Sequence, residues 1–167
     1  MTGGGWRRRA AAALVAVALA AAAAALAGPA VGLFSGSRPA TLGFAGGRFA
    51  PGDWRPNWVS STAPRDDARH FVAPLAFPGD PAAAWAALEA VIASMPRATV
   101  VTRTRGYLHV EFASRGLGFV DDAEFALDPA ARVIHAKSAA RLGIRDFSVN
   151  RDRIESLRAR LARAAGG

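Results

Sequence analysis

"ATVVTRTRGYLHVEFASRGLGFVDDAEFALDPAARVIHAKS", residues 98–138, is the stretch that decides the fold. It holds four strand-like runs: Ala98 to Thr104, Tyr107 to Ser114, Gly118 to Leu127 and Arg132 to Ser138. The turns between them are short and carry Gly106 and Asp128-Pro129, so consecutive strands pair as antiparallel hairpins. Side chains alternate across a strand, which sorts the sheet into two faces. Leu108, Val110 and Phe112 share one face with Phe119, Ala123, Phe125 and Leu127, and with Ile134, Ala136 and Ser138. The opposite face collects Tyr107, His109 and Glu111, then Asp122 and Glu124, then His135 and Lys137.

Working outward, "GDPAAAWAALEAVIASMP" predicts a helix capped by Asp80, opened by Pro81 and ended by Pro96. Trp85, Leu88, Ile92 and Met95 form its apolar stripe, the buried face that helical spacing produces. Ser148 or Asn150 caps a last helix with the stripe Ile154, Leu157 and Leu161, its arginines turned mostly to solvent. "HFVAPLAF" reads as a short first strand that Pro74 confines to an edge or a bulge. The order β-α-β-β-β-β-α predicts an α+β domain over residues 70–165, with about five antiparallel strands and two helices on one face. Residues 35–69, rich in Gly, Pro, Ser, Arg and Asp, form an extended lead-in that wraps it.

A face bearing two His and three carboxylates could hold a metal, and a metal-dependent or hydrolytic activity would use His109, Glu111, Asp121 and His135. The plainer reading is a solvated face, which antiparallel sheets commonly have, with no metal and no cofactor. Asp121 stands out because alternation turns it toward the core between Phe119 and Ala123, and a buried carboxylate needs a partner. Arg115, Arg141 and Arg145 are the candidates, with Arg141 and Arg145 placed to tie the following loop to the sheet. On that basis Asp121→Asn is the more damaging change and Asp122→Asn the milder. Ser60 and Ser61 have His70 nearby but sit in no nucleophile elbow.

The first 34 residues are a separate problem. Arg7, Arg8 and Arg9 precede Ala10 to Ala27, eighteen residues without a polar side chain, and the apolar character continues to Phe34. Such a run inserts into a bilayer with its basic end in the cytoplasm, which puts the domain in the periplasm. The small residues of "ALAG" leave two alternatives open, an inner-membrane anchor and a cleaved signal peptide. The net charge of +8 is spread along the chain, and no nucleic-acid-binding signature accompanies it. Cysteine is absent, which excludes a disulfide, a thiol nucleophile and a lipidated N-terminus.

"PNWVSS", "HFVAPLAF", "YLHVEFASRGLGFVDDAEFAL" and "VIHAKSAARLGIRDFSVNRDRIESLRARL", in that order, resemble the uncharacterised DUF1499 family over about residues 38–164. The resemblance rests on Pro56, Asn57, Val59, Ser60 and Ser61, then Tyr107, His109, Glu111, Arg115, Phe119, Asp121, Asp122 and Glu124. It continues through Ser138, Arg141, Asp146, Asn150 and Arg151. In the family the opening segment usually reads Pro-Cys-Pro-x-x-Pro-Asn-Cys-Val-Ser-Ser, and here Gly52 and Trp58 stand where those cysteines would be. Against the family pattern, either this member has shed a cysteine-based activity or the pair was a staple, and survival of the rest of the pattern favours a staple now replaced by packing of Trp54 and Trp58. The polar positions open to a ligand or a structural network are Asn57, Ser60, Ser61, His70, Tyr107, Arg115, Asp121, Arg141, Asn150 and Arg151. The functional expectation is a non-catalytic envelope module that binds a small apolar molecule, a lipid or a partner protein. The alternatives are the metal-dependent or hydrolytic enzyme and a structural interaction domain.

Overall fold

The computed structural model describes residues 5–28, 31–145 and 147–165; Asp146, one of the positions carrying the family resemblance, lies outside them. Helix α1 (Gly5–Ala27) has no buried residue, and Leu14, Leu19 and Leu26 are open on its surface. At 1.5 Å per residue its 23 residues extend about 35 Å, enough to cross a hydrocarbon core of about 30 Å. By length and composition it suits a membrane anchor, and a signal peptide has the same character.

Strands β1 (Phe44–Ala45) and β2 (Arg48–Phe49) make a small hairpin. Strands β3 (Trp58–Ser60) and β4 (Leu75–Ala76) then lead to α2 (Pro81–Ala93). The long strands follow: β5 (Ala98–Thr104), β6 (Tyr107–Ala113), β7 (Val120–Asp128) and β8 (Val133–Ala140), before α3 (Val149–Ala165) closes the chain. The main sheet has the order β3-β8-β7-β6-β5, with β4 beside β3 on the free edge of β8, and all its strand pairs are antiparallel.

The Asp80 carboxylate caps α2 by accepting from the Ala83 amide at 2.9 Å, and Pro81 fills the first turn, where no amide donor is required. Leu88 and Ile92 of α2, with Ile154 and Leu157 of α3, are fully buried against Leu108, Val110, Phe125, Ile134 and Ala136. This is the face that alternation assigns to the helices.

The structure corrects two expectations. The sheet has six strands, because Trp58–Ser60, in the segment read as irregular, pairs with β8. All three of its residues are buried, so it shows no alternation for a sequence reading to detect. "HFVAPLAF" is strand only at Leu75–Ala76, with Phe71 making one parallel bridge to Ser60. The second correction concerns the polar face, which is not solvated. Asp122 and Glu124 are 3% and 1% exposed, with His109 and Lys137 equally enclosed. The lead-in lies across them. Arg38 reaches Glu111, the Gly43 amide donates to Glu124, Phe44 stacks on His135, and the Ala50 carbonyl accepts from Lys137.

Candidate functional site

The strand register brings the polar residues together. His109 faces Glu124, Glu111 faces Asp122, and Glu124 faces Lys137 across neighbouring strands. Two carboxylates directly opposite each other repel. Arg141, just past β8, resolves the conflict. Its Nε and Nη2 donate to the two Asp122 oxygens at 2.7 Å, and Nη2 also donates to Glu111. Arg38 adds a second guanidinium at 2.6 Å from Glu111, and His109 Nε2 lies 2.8 Å from Asp122 Oδ1.

Burial pushes the Asp122 and Glu111 carboxyls up, but the Arg141 hydrogen bonds, with His109 and Arg38 beside them, outweigh it and hold both below their ordinary values. A group whose folded pKa is depressed contributes stability above its unfolded pKa and loses it as the pH falls through the folded one. Acidification below about pH 4 therefore removes the stability that these two carboxylates contribute. In Asp122→Asn, a melting series over that window should show a shallower loss of stability with pH; an unchanged slope would remove Asp122 from the acid response.

Glu124 is held differently. Its Oε2 accepts from Tyr107 Oη at 2.7 Å and from the Gly43 amide at 2.6 Å. Burial and the adjacent Glu124 carboxylate push the Tyr107 phenol pKa up. The Lys137 ammonium stands 3.4 Å from Oε1, an ion-pair distance, but its hydrogen bond goes to the Ala50 carbonyl at 2.9 Å. Oε1 itself accepts no hydrogen bond among the described residues.

The ligand atoms of His109, Glu111 and Asp122 all lie within 4.8 Å of one another, a spacing a metal could use. Both carboxylates of this set, however, already receive the buried Arg141 guanidinium, which supplies the positive charge that a metal would bring. The donor set fits arginine. His135 lies apart from it: its Nδ1 is hydrogen-bonded to the Ser61 hydroxyl at 3.1 Å, while Asp128 is 3.9 Å from Nε2, beyond hydrogen-bond reach. Ser61 Oγ also accepts the Ala136 amide, and the Phe44 ring covers the imidazole. The contact ties β8 to the turn after β3; it is within the reach of a nucleophile and its base, but Asp128 stands too far from the imidazole to orient it by a hydrogen bond.

Asp121 faces the helices, as alternation predicts, but its partner is none of the expected arginines. Arg153 of α3 reaches it at 2.5 Å, and the same guanidinium donates to Ser138 Oγ and Asn150 Oδ1 and lies over the Phe112 ring. Arg141 serves Asp122 and Glu111 instead, while Arg115 and Arg145 are exposed. Arg153 is therefore not turned to solvent; it sits on the first turn of α3 beside Asn150, and helical position alone gave no sign of its reach.

Asn57 and Asn150 are structural clamps. Asn57 Nδ2 donates to the Ala140 and Gly143 carbonyls, and Asn150 Nδ2 donates to the Asn57 carbonyl. Ser60 bonds Thr62, and His70 stacks on Trp58 at 4.0 Å while its Nδ1 meets Asp67 at 2.7 Å. Arg151 donates to the Ala68 and Arg69 carbonyls.

Two clefts open on the surface. One, of about 550 Å³, lies between β4, α2 and α3 and is lined mainly by Leu75, Phe77, Ala84, Ala87, Ile134 and Leu161. The other, of about 370 Å³, is basic, with Arg69, Arg145 and Arg151 around Pro56, Trp58 and Phe147.

The family described as "Protein of unknown function (DUF1499)" matches residues 50–161, well over half of the chain. The chain belongs to this family. No curated protein and no solved structure matches it. This DUF1499 member has no cysteine. A Cβ added at Gly52 would stand 2.3 Å from the Trp58 ring, so the indole fills the place where a side chain at position 52 would begin. Trp58 is also held by its Nε1 donating to the Asp53 carbonyl. Trp54 is 74% exposed and takes no part, which corrects the expectation that both tryptophans pin the loop.

Proposed function

We propose that this chain is a non-catalytic cell-envelope binding module, carried to the membrane by α1, that takes an acyl chain or another small apolar molecule in the cleft between β4, α2 and α3. The observation that carries this reading is the lining of that cleft, apolar on its strand wall and small on its helix wall, where Ala83, Ala84 and Ala87 leave room. Sites for small molecules are commonly concave and apolar with a few polar groups at the mouth. Arg158 is the basic residue of the lining, its guanidinium bound to the Ala73 and Pro74 carbonyls and paired with the Glu155 carboxylate, which a carboxylate or phosphate head would have to displace. Arg7 to Arg9 ahead of the apolar helix favour a cytoplasmic N-terminus and a periplasmic domain.

Membranes carrying the full chain, supplied with a diazirine-bearing fatty acid and irradiated, test the cleft. Label is expected on peptides containing Phe77 and Leu161. Ala84→Trp, which fills the helix wall, should lower its yield about tenfold, equivalent to about 1.4 kcal/mol. Label absent from these peptides, or unchanged in Ala84→Trp, would overturn the assignment.

A further inference from the structure

The chain leaving α1 passes one end of the sheet. Phe34 packs on Phe119 with ring centres 5.6 Å apart, and Gly36 lies so close to Arg141 and Leu142 that a Cβ there would stand 2.9 Å from the Arg141 Cβ. The loop after β8 begins at this point. Its described residues expose Leu142, Ile144, Phe147 and Val149, with Phe147 at 89%. Phe147 and Ser148 both adopt positive φ, 50° and 69°, a conformation that costs a bulky residue energy and here gains the phenyl ring no burial. Beside this apolar tip lies the basic cleft. Arg69 and Arg145 engage no carboxylate, and no lining residue of the cleft is acidic, among the described residues.

We propose that this end of the sheet rests on an anionic bilayer surface, with Ile144 and Phe147 seated among the headgroups and Arg69, Arg145 and Arg151 holding a lipid phosphate. Two observations point to a membrane as the occupant. The anchor departs from the same end, so the loop is delivered to the surface by the chain itself. The patch also pairs apolar side chains with guanidinium groups that meet no carboxylate among the described residues, the combination that interfacial segments use against anionic lipid. Planar guanidinium groups suit phosphate oxygens because they donate in pairs. The proposal rests on α1 remaining uncleaved, which the intact mass of the isolated protein reports independently.

The absence of cysteine makes a direct test available. The full chain carrying Ile144→Cys, labelled with bimane, is reconstituted in vesicles of phosphatidylcholine alone or mixed with phosphatidylglycerol. Ala130→Cys, in the turn at the opposite end of the sheet, is the reference. In the mixed vesicles, doxyl-labelled lipid should quench the probe at position 144, and aqueous iodide should quench it several-fold less than the probe at position 130. Removing phosphatidylglycerol, or introducing Arg69→Gln, Arg145→Gln and Arg151→Gln together, should return position 144 to the iodide sensitivity of the reference. Arg145→Gln alone, on an exposed side chain with no partner among the described residues, should give a partial return at unchanged melting temperature. Equal iodide quenching at both positions in mixed vesicles would overturn the proposal. So would protection that persists without phosphatidylglycerol, or that follows added inorganic phosphate instead.

Discussion

Replacing Arg141 with Met should cost the domain about 3–5 kcal/mol, the range typical when one partner of a buried ion pair is removed. The guanidinium joins three strands' worth of charge: it bonds Asp122 on β7 and Glu111 on β6 from the residue following β8. Without it two carboxylates face each other across adjacent strands, one of them only 3% exposed. Desolvation penalises each, and their mutual repulsion adds to the cost. Asp122→Asn should be costly by the same logic, since it removes the buried charge facing Arg141 and leaves one oxygen where two now meet Arg141 and His109. Asp121→Asn removes the charge opposite Arg153, whose guanidinium remains bonded to Ser138 and Asn150. Chemical denaturation of the three variants should thus rank Arg141→Met and Asp122→Asn above Asp121→Asn, the reverse of the order that sequence alternation predicts. A dominant effect at Asp121 would show that the wet face, and not the covered one, is the correct description of β7.

Trp58→Ala should rank beside it, at about 3–5 kcal/mol, because a buried indole is lost together with its stacking on His70 and its hydrogen bond to Asp53. Gly52→Ala should cost about 1–3 kcal/mol for the opposite reason, an added methyl with nowhere to go. The two effects share one volume, so they should not add. Gly52→Ala placed in the Trp58→Ala background should be close to neutral, and a double-mutant cycle should return a coupling of about the size of the glycine effect. Strict additivity would mean that the loop accommodates the methyl elsewhere, and that the glycine is not there to make room for the tryptophan.

Much of the fold was legible because the relevant signals are local. The faces of β6, β7 and β8 follow from period two, except at Phe119, which precedes β7 and packs on Phe34 at the surface instead of in the core. Asp80 and Pro81 mark the start of α2 to the residue. Other features leave no such mark. Strand β3 is three residues long and buried throughout, so neither length nor alternation announces it. The covering of the polar face leaves no sequence signal because the cover is irregular chain that makes contact largely through backbone groups, the Gly43 amide and the Ala50 carbonyl, which any residue could supply. The inward reach of Arg153 leaves none either, because a long side chain on a helix flank can turn inward by rotation alone. Of the site, residue types and faces were readable; the pairing of arginines with carboxylates was a matter of reach between segments far apart in sequence.

That cover imposes an order on assembly. Arg38 meets Glu111 across 73 residues, Gly43 meets Glu124 across 81, and Ala50 meets Lys137 across 87. Contacts of such sequence separation are entropically the slowest to close. The segment that shields the charged face is made before the strands it covers, and it has nothing to dock on until β8 is complete. A refolding experiment followed by hydrogen exchange would see it as late protection at the Gly43 amide, after the helices and hairpins are already closed. A protease present during that interval would find its cleavage sites between residues 38 and 50.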